Sequence, residues 1–253
     1  MFARLLDRTL LSPGWPPLAS RCEVCRSWPA QPVCQPCIAR FASPRPRCQT
    51  CAITLPADLS MGLRTSPGMC MDCLLQRPPL DQSFAAVGYA YPWSGLVNRY
   101  KFENQPGWAS VFAALMTQAP GIRETLRGLE ATDWMLPMPL SAQRLQTRGF
   151  NQAWQLVSAL ARQSGSAART DARMLLRIKD TRPQSQLNRA DRLVNVQGAF
   201  TVDPLRSAGL SGRRVVLVDD VMTSGASLFA AATALRQAGA KHVTAMVFAR
   251  TEG

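Results

Sequence analysis

Eight cysteines divide this chain into two unlike parts. They stand as four C-x-x-C pairs, Cys22/Cys25, Cys34/Cys37, Cys48/Cys51 and Cys70/Cys73, and none occurs in the 180 residues that follow. Two residues between paired cysteines form a knuckle that aims both sulfurs at one metal ion. Eight thiolates therefore suffice for about two tetrahedral zinc sites with four cysteines each. Such sites leave no open position, which suits structural zinc. A disulfide framework fits a cytoplasmic chain poorly; redox chemistry and iron–sulfur binding are the other uses of such pairs. The gaps between pairs are 8, 10 and 18 residues. They admit sequential sharing, with Cys22, Cys25, Cys34 and Cys37 on one ion and the other four on a second, and equally an interleaved cross-brace. The segment is rich in proline and poor in large apolar residues, so it is expected to fold only with its metal. The single histidine, His242, reads as a surface residue at a strand start.

Pro78 and Pro79 close this module, giving an expected division into a zinc-binding module, residues 1–79, and a larger domain, residues 80–253. Strand patterns at 84–91, 134–140, 172–178, 215–220 and 242–250 alternate with helical patterns at 94–102, 108–118, 150–163 and 226–238. That alternation predicts an α/β fold with a mostly parallel sheet flanked by helices. No stretch approaches the roughly 18 apolar residues of a membrane helix, so membrane insertion is not expected. Arg4, Asp7 and Arg8 interrupt the first residues, which argues against a cleaved signal peptide. The expected location is the cytoplasm, including the inner face of the membrane.

The segment Val215–Leu228, VVLVDDVMTSGASL, carries the most chemistry. Four apolar residues bury a central strand, and Asp219 and Asp220 fall at its carboxyl end, where open α/β sheets place ligands. The turn Thr223-Ser224-Gly225-Ala226-Ser227 then opens a helix. Its free N–H groups, hydroxyls and helix dipole suit a phosphate monoester. Gly225 lets the backbone approach closely. The acids can bind a sugar diol directly or through Mg²⁺, so the segment as a whole suits a ribose 5-phosphate. A strand followed by a capped helix is the simpler reading, but it leaves two consecutive acids unexplained. The dinucleotide and Walker fingerprints are both missing.

This arrangement resembles the type I phosphoribosyltransferases, whose motif for phosphoribosyl pyrophosphate (PRPP) is an apolar strand, two acids and a T-x-G-x-[ST]-like turn. More of the chain is similar to the ComF family, which joins an N-terminal cysteine-rich zinc module, here a double zinc ribbon, to a phosphoribosyltransferase-like domain. The residues that carry the resemblance are the four C-x-x-C pairs, Tyr100-Lys101-Phe102, the strand and loop 134–140, Arg148-Gly149-Phe150-Asn151-Gln152, the stretch Gln184–Phe200 and the 215–228 motif. The resemblance implies PRPP with Mg²⁺ as ligand, Asp219 and Asp220 as the catalytic acids, and residues 223–227 as the 5-phosphate loop. It places pyrophosphate on Arg148 and Gly149, taken as the start of a helix. A mobile hood over it would span Thr181–Phe200, with Arg182, Arg189 and Arg192 as candidates and Lys101 as a further one. Thr223 stands where purine-base members carry an Asp, which speaks against purine salvage.

The net charge is +13, and 26 of the 29 basic residues are arginine. Between Arg144 and Arg192 ten bases face three acids, a net of +7. Such a window suits a phosphate or nucleic-acid surface. Two functions follow. One is a PRPP-dependent transferase with an unknown acceptor, acting in DNA uptake or utilisation. The other is a non-enzymatic adaptor that keeps the phosphate pocket and binds single-stranded DNA and DNA-uptake proteins. Only Trp28 and Phe41 lie among the cysteines as aromatics, which favours a docking or structural role for that module over base stacking.

Overall fold

The computed structural model describes residues 20–56, 68–103, 105–179 and 196–252. The first residues of the chain and the hood candidates Arg182, Arg189 and Arg192 lie outside them. The chain forms two compact units, residues 1–41 and 42–253. The cysteine pairs are divided between them: Cys22–Cys37 lie in the smaller and Cys48–Cys73 in the larger.

In the smaller unit the chain reverses through a bridge between Ser20 and Ala30 and ends in helix α1, Gln35–Phe41. Cys22 and Cys37 are buried, while Cys25 is exposed.

The larger unit is built on five parallel strands. They are β1 (Gln82–Gly88), β2 (Trp134–Pro137), β3 (Arg169–Thr170), β6 (Arg214–Met222) and β7 (His242–Arg250), in the order β1-β7-β6-β2-β3. Strand β6 is central. Val215, Val216, Leu217 and Val218 are all buried, as a parallel strand covered on both faces requires. Its register sets Val218 between Pro137 of β2 and Met246 of β7.

One face carries helices α3 (Trp93–Phe102), α4 (Trp108–Gln118) and α7 (Gln152–Ser164). Phe112 stacks on Phe248 of β7 at 4.0 Å, and Trp93 meets the same ring edge-on at 5.7 Å. The other face carries α8 (Ala226–Gln237), whose buried Ala231, Ala232 and Ala234 bring it close to the sheet. Two short helices, α5 (Ile122–Arg127) and α6 (Ala142–Arg148), flank β2 in sequence.

Two expectations change. The strand at 172–178 is β4, only Leu175–Arg177, and it pairs antiparallel with β5 (Phe200–Val202), apart from the main sheet. Arg148 does not start a helix: it ends α6, and Gly149 follows as a left-handed cap at φ 76°. Asn151 starts α7 instead, its Oδ1 accepting from the N–H groups of Ala153 and Trp154.

The second cysteine cluster is part of this unit's core. Cys48, Cys51 and Cys73 are buried together with Leu80, Ala85 and Val247. It includes a short helix, α2 (Met71–Leu75).

Candidate ligand site and metal centres

Connections leave β2 toward β3 and β6 toward β7, in opposite directions along the sheet. A crevice opens between two such strands at their carboxyl ends. Here it is a cavity of about 230 Å³ lined by Met138–Leu140 after β2, Asp219–Thr223 at the end of β6, and the start of α8.

The acids sit within β6, which runs two residues past them to Met222. Asp220 is buried and pairs with Lys101 of α3, Nζ to Oδ1 at 2.9 Å. Its own N–H donates to Asp219 Oδ1 at 2.9 Å. Burial and the neighbouring Asp220 charge push the Asp219 carboxyl up to about 7, against the pull of Lys101 and Arg148.

Of the predicted phosphate turn, Thr223, Gly225, Ala226 and Ser227 line the cavity. Ser224 does not line it; its hydroxyl accepts from Ala226 N–H at 3.4 Å. Gly225 has φ 83°, and a Cβ there would fall 2.6 Å from Phe229 and 2.7 Å from Met222. The glycine is therefore required by its conformation and by its packing against Phe229 and Met222.

Arg148 lines the cavity, while Gly149 lies in an adjoining groove that also takes in Lys101, Phe102 and Phe150. The guanidinium of Arg148 rests over the exposed ring of Phe102 at 5.0 Å. Burial lowers its proton affinity, and Asp220 opposes that.

Arg144, Arg177 and Gln152 also line the cavity, and the sequence does not single them out as ligands. Gln152 is buried. Its Oε1 accepts from Arg148 Nη1 at 3.0 Å, which fixes the amide and leaves Nε2 without a partner among the described residues. A buried donor left so is costly unless a ligand oxygen meets it. Its position at the head of α7, beside the RGFNQ arginine, was the available signal. Tyr100 donates from its hydroxyl to Gln152 O at 2.7 Å and ties α3 to that helix start. Burial and the two acids hold the phenol well above its ordinary range.

The cavity thus gathers Lys101, Arg144, Arg148 and Arg177 against Asp219 and Asp220, four cations to two acids. It can hold a polyanion with a diol or a divalent cation at the acids.

The cysteines settle into two sequential groups, Cys22/Cys25/Cys34/Cys37 and Cys48/Cys51/Cys70/Cys73, with sulfurs all within 4.8 Å of one another. All eight are free. Cys25 and Cys34 sulfurs lie 3.6 Å apart, as do those of Cys51 and Cys70. Four ligands about 2.3 Å from a tetrahedral zinc would stand about 3.8 Å apart, so both groups fit that ion. The groups repeat one detail: Cys34 N–H donates to Cys22 Sγ at 3.4 Å, and Cys70 N–H to Cys48 Sγ at 3.3 Å. Each group could hold a metal ion. His242 belongs to neither; it stands half-exposed, 3.4 Å from Asp81.

Comparison with known proteins identifies the family. Residues 146–252 match the family described as phosphoribosyl transferase domain. The chain is 31% identical over 182 residues to DNA utilization protein YhgH of Salmonella typhimurium, covering 72% of this chain and 78% of that one. It is 32% identical over 181 residues to competence protein F of Haemophilus influenzae, with the same coverage. To competence protein ComFC of Streptococcus pneumoniae it is 29% identical over 176 residues, 69% of this chain and 71% of the other. With its two four-cysteine groups, its parallel sheet and its acids over a helix-opening turn, the chain belongs to the ComF family and carries a type I phosphoribosyltransferase fold.

Proposed function

We propose that this protein binds PRPP with Mg²⁺ in the β6–α8 cavity and acts in DNA uptake or utilisation. The observation that carries the reading is the convergence of Asp219, Asp220 and the turn residues Thr223, Gly225, Ala226 and Ser227 with four cations in one cavity. In this reading the helix start holds the 5-phosphate, and the two acids hold the ribose hydroxyls or Mg²⁺. Arg148, Arg144 and Gln152 Nε2 meet the pyrophosphate. Mg²⁺, when bound, neutralises charge on the leaving pyrophosphate. The chain's own part is to orient the anomeric carbon toward an acceptor and to stabilise the departing anion with Arg148. No dedicated general base is then required.

The curated relatives bear names of competence and DNA utilisation, which supports the biological setting. Calorimetric titration of PRPP with and without Mg²⁺ tests the reading. Binding should occur, should strengthen with Mg²⁺, and should weaken about tenfold or more in Asp220→Ala, which strands Lys101 without its partner. Absence of binding to the metal-loaded wild-type protein overturns it.

The second reading, a DNA-binding adaptor without turnover, is favoured by Phe102. Its ring is 68% exposed at the mouth of the groove, with Arg148 against it. An exposed ring beside a cation suits a nucleobase. Loss of single-stranded DNA affinity in Phe102→Ala, with no pyrophosphate released from PRPP across bases, amines and nucleic acids, would favour the adaptor.

A further inference from the structure

We propose that Arg250 is a positioning residue for the phosphate turn, and that through it the second cysteine group sets the turn's geometry. The inference rests on the reading of Thr223–Ser227 as a phosphate site. Arg250 is the last residue of β7 and is only 5% exposed. In the sheet register it stands opposite Met222, where β6 ends and the turn begins. Its guanidinium pairs with no carboxylate among the described residues. Its donors go to carbonyls and one hydroxyl. Nε donates to Cys51 O at 2.9 Å. The two hydrogens of Nη1 are shared among Met222 O at 3.3 Å, Thr223 O, and the carbonyl and hydroxyl of Thr251. One planar fork therefore spans from a cysteine knuckle to the first peptide groups of the turn.

A peptide group is planar, so holding a carbonyl aims the next residue's N–H in the opposite direction. Met222 O also accepts from Thr251 N–H at 3.1 Å, so Arg250 shares the hold on the Thr223 N–H, while its bond to Thr223 O fixes the Ser224 N–H. These are the donors that precede the helix start. Arg250 thus orients the Thr223 peptide at the cavity wall and, through Ser224 behind it, the entry to Gly225, without touching the phosphate.

The other end of the fork is anchored by the knuckle. Cys48 and Cys51 are two of the four sulfurs that could hold one ion. The residues around them are stitched to the sheet. Ser83 of β1 donates from its hydroxyl to Thr50 O at 2.6 Å and from its N–H to Gln49 O at 2.7 Å. Thr54 donates to Glu252 through its N–H at 3.0 Å and its hydroxyl at 2.7 Å. Arg47 links Ala52 O to the same carboxylate. Metal on the four sulfurs would fix the direction of the Cys51 carbonyl. Loss of metal frees four crowded thiols to separate and releases it. The brace uses residues of the 42–253 unit only, so the Cys22–Cys37 group has no place in it.

The test combines hydrogen exchange of residues 222–228 with PRPP titration and zinc content, on the full zinc-loaded chain. In Arg250→Met, exchange across the turn should speed up and PRPP affinity should fall about tenfold, the worth of one or two charge-assisted hydrogen bonds. Zinc should stay bound. Cys48→Ser/Cys51→Ser should reproduce the faster exchange, and Cys22→Ser/Cys25→Ser should not. Should Arg250→Met fail to fold, chelator titration of Cys22→Ser/Cys25→Ser makes the same measurement with Arg250 in place. Wild-type exchange and affinity in folded Arg250→Met, or an unmoved turn after zinc has left the second group, overturns the proposal. If the wild-type protein does not bind PRPP, the ligand reading fails, while the exchange measurements still decide whether the brace exists.

Discussion

Asp219 holds its proton to about 7, against an ordinary value of 3.8, because it is partly buried beside Asp220. A group whose proton is held more tightly in the folded state than in the unfolded chain favours folding at low pH. That contribution is lost as pH rises from about 4 through 7. Asp219→Asn keeps an oxygen for the Asp220 N–H and removes the charge. It should therefore raise stability at pH 8 and change little at pH 5, where the carboxyl still holds its proton. Thermal unfolding at the two values measures it; an equal shift at both would mean that the carboxyl is already ionised throughout. The same titration predicts that Mg²⁺-dependent PRPP binding strengthens from pH 6 to pH 8, as Asp219 becomes a full ligand. Lys101, Arg148 and the charge on Asp220 all face this carboxyl and set where the change falls. Asp219 and Asp220 were legible in the sequence because two acids ending a buried apolar run have no structural use. Gln152 was not, since a glutamine at a helix start looks like any polar residue until its orphaned amide is seen against Arg148.

Helix α3 reaches the site through a single side chain on its last turn, Lys101, which occupies Asp220 at 2.9 Å. The ammonium sits where a divalent cation would approach that carboxylate. Lys101→Met should then bind Mg²⁺ about tenfold more tightly in the absence of PRPP, since a charge-assisted pair no longer competes. PRPP affinity should fall, because the cavity keeps three cations. Unchanged affinities for both would remove Lys101 from the site. Elements were legible in proportion to their burial. Strands β6 and β7 and helices α4, α7 and α8 bury continuous or periodic apolar faces, and their patterns predicted them. Helix α6 buries no residue, so no apolar period marks it; only Ser141, capping Arg144 N–H, and Gly149 delimit it. That absence led to Arg148 being read as the start of a helix instead of the end of one. Strands β3 and β5, of two and three residues, are too short for alternation to register.

At the scale of the whole molecule, metal and charge make separate predictions. Elemental analysis of protein purified without chelators should find about two zinc ions per chain, by four thiolates for each tetrahedral ion; none at all would leave the cysteine groups without their proposed role. The net charge of +13 predicts a longer-range effect. Much of it is concentrated between Arg144 and Arg192, and from that window Arg144, Arg148 and Arg177 converge on the cavity rather than dispersing over the surface. A single strand of DNA tracking this rim would place phosphates against all three and release the counterions they had condensed. Each phosphate neutralised adds about 0.7 to the slope of log affinity against log salt for single strands. The wild-type protein should therefore bind single-stranded DNA with a steep salt dependence. Arg144→Ala, Arg148→Ala and Arg177→Ala together should reduce the slope by about 2 as well as the affinity. PRPP should compete with the DNA, since both anions need the same arginines. Fluorescence anisotropy across a salt series, with and without PRPP, measures slope and competition together. A triple variant with the wild-type slope would mean that the strand lies elsewhere on this basic surface and that the cavity arginines serve a small phosphate ligand alone.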